Sequence, residues 1–232
     1  LIRKTLYIIF DRIKRWIIDT ARKSNRLKTP MDYILQTLEP LDLLPANAVA
    51  VDLFGMYGLW TTRDIYPYCR RIELWEIDPV YARWAKRFLA DAAVFCGDSI
   101  KAMSEGRLSQ QFYDFILIDN PLGCFDKYCE HFEALPLAMK YIHRTVMVLN
   151  VIPSVKPVLN NYQRSDQYIN DWILRRRLFY QKDNAENITV SEILIFYRNY
   201  FETNGFVVKF LSFVPRTPVV LFLYASVSRS SL

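Results

Sequence analysis

Four acidic side chains follow four apolar runs in the first half of the chain. Asp52 closes AVAV, Glu76 closes RIELW, Asp98 stands just beyond AAVFCG, and Asp119 closes YDFILI. A carboxylate so placed is anchored by a buried segment yet meets solvent at the segment's end, where it can accept charge-assisted hydrogen bonds from ligand hydroxyl or amino groups. Glycines accompany the acids: Gly55 and Gly58 follow Asp52, Gly97 precedes Asp98, and Gly123 ends DNPLG. Glycine lets backbone approach a ligand closely, and a helix starting there offers unpaired N–H groups. An acid at Glu76, about 20 residues past the first glycines, can accept both hydroxyls of a ribose. Asp78 and Pro79 instead read as the N-cap and first residue of a helix.

The elements that must hold these residues follow from the same pattern. Strands are predicted at Ala48–Leu53, Ile72–Ile77, Ala93–Cys96, Phe112–Asp119 and Thr145–Val151. Helices fit between them at Gly58–Tyr66, Pro79–Ala90, Ser99–Arg107 and Tyr128–Tyr141. This alternation implies right-handed crossovers and a parallel sheet, with a cofactor along its carboxyl edge. Two further helices are predicted at about Ser165–Gln181, containing Arg175, Arg176 and Arg177, and Thr189–Thr203, stopped by Gly205. The two long apolar runs that follow, joined at Pro215–Pro218, predict an antiparallel pair of strands.

At 232 residues and 52% hydrophobic, the chain is expected to bury a full core. No apolar run reaches the roughly 18 residues that span a bilayer. The first segment, with basic residues throughout, does not read as a signal peptide. The net charge is +6, but residues 1–28 hold nine Lys/Arg against two Asp, so the remainder is nearly neutral. In that arm Ile2, Leu6, Ile9, Ile13, Ile17 and Ala21 recur in steps of three and four, predicting an amphipathic helix with a cationic far side. Cys69, Cys96, Cys124 and Cys129 form no disulfide framework and suggest free thiols in a reducing cytoplasm. Cys124, Cys129 and His131 fit no common zinc spacing.

From Ala48 to Gly123 the series of turns resembles the class I S-adenosylmethionine-dependent methyltransferases, and with the closing hairpin the resemblance covers roughly residues 46–228. It implies a doubly wound α/β fold: a mostly parallel seven-stranded sheet with an antiparallel last strand. A basic helical arm over residues 1–45 would precede a methyltransferase-like domain over 46–232, with a helical insertion at about 154–203. S-adenosylmethionine is the implied cofactor. Its implied contacts are Asp52, Phe54, Gly55 and Gly58 in the first turn, Glu76 at the ribose, Asp98 at the adenine amino group, and Asp119. Met56 stands where the family commonly has its central glycine, and Asp98 could equally cap the next helix.

The fourth turn, Asp119-Asn120-Pro121-Leu122-Gly123, resembles the Asn/Asp-Pro-Pro-aromatic motif of amino-group methyltransferases acting on nucleic-acid bases. On that resemblance Asp119, Asn120 and Pro121 would address the acceptor, an exocyclic amine. RNA or DNA would be met through residues 1–28 and Arg175, Arg176 and Arg177, with interleaved aromatics available for stacking. Three alternatives stand beside this. The acceptor could be a small molecule or protein side chain, or the fold could serve a non-catalytic binding role. The basic helix could instead be a lid, a dimer helix or a membrane-surface element.

Overall fold

The computed structural model describes residues 2–23, 28–120, 130–161 and 165–230. Its centre is a seven-stranded sheet in the order β3-β2-β1-β4-β5-β7-β6. The strands are β1 (Ala48–Asp52), β2 (Cys69–Glu76), β3 (Ala93–Cys96), β4 (Tyr113–Ile118), β5 (Ile142–Val151), β6 (Phe206–Pro215) and β7 (Leu221–Arg229). β1 through β5 pair in parallel, whereas β7 lies antiparallel between β5 and β6. The expected sheet is thus present, and the strand of reversed direction is the one inserted between β5 and β6.

The helices are α1 (Ile2–Lys23), α2 (Pro30–Leu38), α3 (Thr61–Ile65), α4 (Pro79–Phe88), α5 (Ser99–Ser104), α6 (Ala134–Ala138), α7 (Val155–Asn161), α8 (Asp166–Tyr180) and α9 (Val190–Thr203). Side-chain caps fix several starts. Thr29 and Thr189 form capping boxes with Asp32 and Glu192, Ser165 caps α8, and Asp78 and Asp98 cap α4 and α5. α3, α5 and α6 are shorter than expected. α7 was not expected, because its VKPVLNN carries no long periodic stripe.

Period-two alternation divides the core between the two sheet faces. On one face Val51, Ile116, Ile118, Met147 and Leu149 pack with Leu135, Trp172, Ile193, Tyr197 and Phe201. On the other, Ala50, Ile72, Phe115, Leu117 and Val148 pack with Met31, Ile34, Leu35 and Leu38 of α2. The strand order reverses between β1 and β4. In doubly wound sheets this switch point opens a crevice at the carboxyl ends.

α1 is helical as its periodicity requires, but seated contrary to the apolar stripe. Ile8, Asp11 and Arg15 are buried, while Leu6, Ile9, Ile13 and Ile17 are exposed. Tyr57 and Trp60 donate hydrogen bonds to Asp11, and Arg15 pairs with Asp64 and Asp19. Lys4 pairs with Asp78. The contacts of Asp11, Arg15 and Lys4 with the domain, together with the packing of Ile8 on Tyr57 and Leu59, therefore seat this helix, and most of its apolar stripe stays outside.

Candidate active site

β1, β2, β3 and β4 end side by side, and register aligns their carboxyl ends. Asp52 lies opposite Leu74 of β2 and Leu117 of β4, while Glu76 lies opposite Cys96 of β3. Asp52, Glu76, Asp98 and Asp119 consequently share one edge of the sheet.

Asp52 is buried. It accepts from the Phe54 N–H at 3.1 Å and from the Thr62 hydroxyl at 2.5 Å. Burial pushes its carboxyl up to about 7, the Asp119 carboxylate adds to the rise, and the Thr62 hydrogen bond opposes it. Asp119 accepts from the Thr61 hydroxyl, from Asn150 Nδ2 at 2.6 Å and from Arg216 Nη2 at 2.9 Å. Arg216 sits between β6 and β7, and Asn150 near the end of β5, so the far half of the sheet closes on the fourth turn.

The first turn is tight. Gly55 N–H donates to the Trp75 carbonyl and Gly58 N–H to the Gly55 carbonyl. A Cβ on Gly55 would lie 2.2 Å from Leu74 Cγ, which explains the glycine one place ahead of the common position. Gly58 has φ +72°, while Met56, at +46°, takes a left-handed conformation that glycine adopts without strain. The turn therefore keeps its shape despite Met56.

Glu76 is buried and accepts from the Asp78 N–H at 2.6 Å. Burial raises its pKa, and the Asp78 N–H, with the Met56 N–H beside it, opposes the rise by hydrogen bonding to the charged form. Ile77, exposed beside it, gives this edge an apolar platform that sequence inspection missed, since one exposed isoleucine leaves no periodic signal. Asp98 Oδ1 accepts from Ile100 and Lys101 N–H at 2.9 and 3.1 Å, so its capping role is realised.

Asn120 Nδ2 donates to the Glu130 carbonyl at 2.9 Å, and the Asn120 carbonyl accepts from Asn150 Nδ2 at 2.9 Å. Pro121, Leu122, Gly123, Cys124 and Cys129 lie outside the described residues. Below this turn Glu130 receives Arg176, Trp172 Nε1 at 3.1 Å and the Ile152 N–H at 3.2 Å. His131 is buried between the Asn150 carbonyl, 2.8 Å from Nδ1, and the Tyr197 hydroxyl at Nε2. Burial holds its pKa down to about 3. It braces the fourth turn as a neutral imidazole.

The arginine run departs from its expected role. Arg176 is fully buried against Glu130 and cannot meet a nucleic acid. Arg175 and Arg177 lie 3.2 and 3.1 Å from Glu133 and Glu186. Arg175 and Arg176 face acids more than 40 residues away in sequence, and Arg177 pairs on the surface with Glu186, nine residues on.

Asp52, Phe54, Gly55, Met56, Thr61, Thr62, Asp119 and Arg216 line a narrow cleft of about 20 Å³ at the switch point. A roomier groove of about 340 Å³ lies at the opposite edge of the sheet, beside Asp42, Asp114, Arg144 and Ser226. None of the four turn acids reaches it. The turn acids and backbone donors make the switch-point edge the chemically organised one.

No protein-family model and no curated protein matches the chain. Solved structures share its fold. A candidate hemolysin from Streptococcus thermophilus aligns with a TM-score of 0.53 and 14% identity, over 85% of this chain and 65% of that one. A candidate rRNA methylase from Clostridium thermocellum gives 0.50 at 9% identity, over 88% and 99% of the two chains. A candidate transferase from Pyrococcus horikoshii gives 0.50 at 14% identity, over 83% and 63%. The chain has the Rossmann-like fold of class I methyltransferases, with the sheet order and reversed strand described above.

Proposed function

We propose that the chain is an S-adenosylmethionine-dependent methyltransferase acting on an amino nitrogen, with an exocyclic amine of a nucleic-acid base as the acceptor. The observation that carries this is the alignment of Asp52, Glu76, Asp98 and Asp119 along the carboxyl ends of four neighbouring strands at the switch point. The donor set suits the cofactor. Glu76 offers a carboxylate for ribose hydroxyls, Ile77 an apolar surface for a planar ring, and Asp98 an acceptor for an amino group. Asp52, Phe54, Gly55 and Gly58 would shape the part of the site nearest the methionine end.

When bound, the cofactor supplies a methyl group on a sulfonium, already a good electrophile. The protein's task is then alignment and charge stabilisation. Asn120, held by Glu130 and Asn150, and Asp119, held by Thr61, Asn150 and Arg216, give the fourth turn a rigid polar frame for orienting an amine. The acids at this edge favour the partial positive charge an attacking amine acquires.

The burial of Arg176 favours a second acceptor class, a small or non-polyanionic molecule, since it removes the middle of the three arginines from any phosphate surface. Methyl transfer from labelled cofactor to total RNA, denatured DNA and a metabolite extract separates the two. Label in nucleic acid that is lost in Asn120→Ala supports the base amine. Label only in small molecules replaces the acceptor and keeps the reaction, and no label in any fraction contradicts the reaction itself.

A further inference from the structure

On α1 the structure reverses the usual arrangement of an amphipathic helix, whose apolar stripe ordinarily faces the core. Asp11 and Arg15 are buried, and the hydrogen bonds of Asp11 with Tyr57 and Trp60 and the ion pair of Arg15 with Asp64 hold that side against the domain. Leu6, Ile9, Phe10, Ile13, Trp16 and Ile17 project outward, with side chains 44–68% exposed. Their spacing lines one face of a 22-residue helix, about 33 Å long at 1.5 Å per residue. A contiguous apolar surface of this kind marks an interaction site.

We propose that this face docks on an anionic lipid bilayer, with α1 lying in the headgroup plane. Charge selects the occupant. Residues 1–28 carry a net +7 and remain cationic after Lys4 and Arg15 pair with Asp78 and Asp64 of the domain, so a second copy of the helix would bring like charge against like charge, whereas anionic headgroups complement it. Lys14 stands half exposed beside Phe10, its ammonium 4.8 Å from the ring centroid, at the border between apolar stripe and cationic flank. Phe10 and Trp16 can stack on bases, but the four outward aliphatic side chains, Leu6, Ile9, Ile13 and Ile17, find no matching partner in bases and phosphates. The acyl boundary of a membrane offers one, and Trp16 has the amphipathic ring suited to it. The dock is independent of which cofactor or acceptor the domain takes. It puts α1 between the bilayer and the domain, since the buried side of α1 packs through Ile8 on Tyr57, Leu59 and Phe88.

The test is cosedimentation of the full chain with vesicles of phosphatidylcholine alone and of phosphatidylcholine mixed with phosphatidylglycerol. Binding to the mixed vesicles is expected, weakened about tenfold or more in pure phosphatidylcholine, at high salt and in Ile13→Glu. Both Ile13 and Ile17 are exposed on this face, so Ile17→Glu serves as a second variant and should weaken binding to the mixed vesicles without shifting the thermal midpoint. Failure to bind the mixed vesicles overturns the proposal, as does binding indifferent to both variants. A dimer in light scattering that Ile13→Glu converts to monomer overturns it in favour of a second copy. RNA binding lost in Ile13→Glu, without vesicle binding, overturns it in favour of nucleic acid.

Discussion

Arg176 and Glu130 form an ion pair in which both side chains are almost wholly shielded from solvent. The same Glu130 holds Asn120 through its main-chain carbonyl, so the pair lies directly beneath the proposed acceptor turn. Arg176 is further tied to the Ala185 and Ile152 carbonyls at 2.6 and 2.8 Å, joining α8 to the end of β5.

Breaking one side of such a pair leaves an uncompensated buried charge. Glu130→Gln is expected to cost about 3–5 kcal/mol in chemical denaturation, with Glu130→Gln/Arg176→Met recovering part of the loss. A loss below about 1 kcal/mol would show that the pair is not buried in solution.

Gly55→Ala should destabilise by about 1–3 kcal/mol, through overpacking of the added methyl against Leu74. Combining it with Leu74→Ala should produce less than the sum of the two single losses, because the cavity receives the methyl. Strict additivity in the double-mutant cycle would count against the close approach of the first turn to β2.

Asp52 has its carboxyl raised from 3.8 to about 7, so the folded chain holds a proton that the unfolded chain has released across that interval. Its contribution to stability is therefore largest below pH 3.8, declines as pH rises towards about 7, and then levels off. The decline amounts to roughly 4 kcal/mol at 1.36 kcal/mol per unit. Denaturation of wild type and Asp52→Asn across this range should show the difference between them drifting in that sense. A flat difference would place an ionised, solvated Asp52 at the turn.

How much of this was legible in the sequence depended on whether the signal was periodic or pairwise. The strands carrying Asp52, Glu76 and Asp119 are runs of buried residues bounded by turn chemistry, and their edge alignment follows from parallel topology alone. The caps at Asp78 and Asp98 were legible because they act within three residues. Arg216, Asn150, Thr61 and Thr62 were not, since each reaches its acid across a fold-dependent distance and sits in a segment with other reasons to exist. Arg176 misled for the same cause: three consecutive arginines look like a phosphate surface until Glu133, Glu130 and Glu186 are seen beside them. In α1, periodicity revealed the helix but not its orientation, which Asp11 and Arg15 decide through contacts with Tyr57 and Asp64.

His131 is expected to stay neutral through the physiological range, because burial holds its pKa at about 3. A histidine depressed in this way withdraws stability as pH falls from 6.5 towards about 3, where the unfolded chain takes up the proton first. Its imidazole resonances should show no titration step from about pH 5 to about pH 8. A midpoint near 6.5 would mean that the pocket formed with Asn150 and Tyr197 is open to water.

The central claim is that the carboxyl edge of the sheet holds S-adenosylmethionine with Glu76 at the ribose, and calorimetric titration of the cofactor into wild type and Glu76→Ala tests it most directly. We predict saturable binding by the wild type, weakened by about 1–3 kcal/mol in Glu76→Ala through lost charge-assisted hydrogen bonds, measured at a temperature where circular dichroism shows both free proteins folded. No heat of binding in the wild type, or equal affinity in the two proteins, would contradict it.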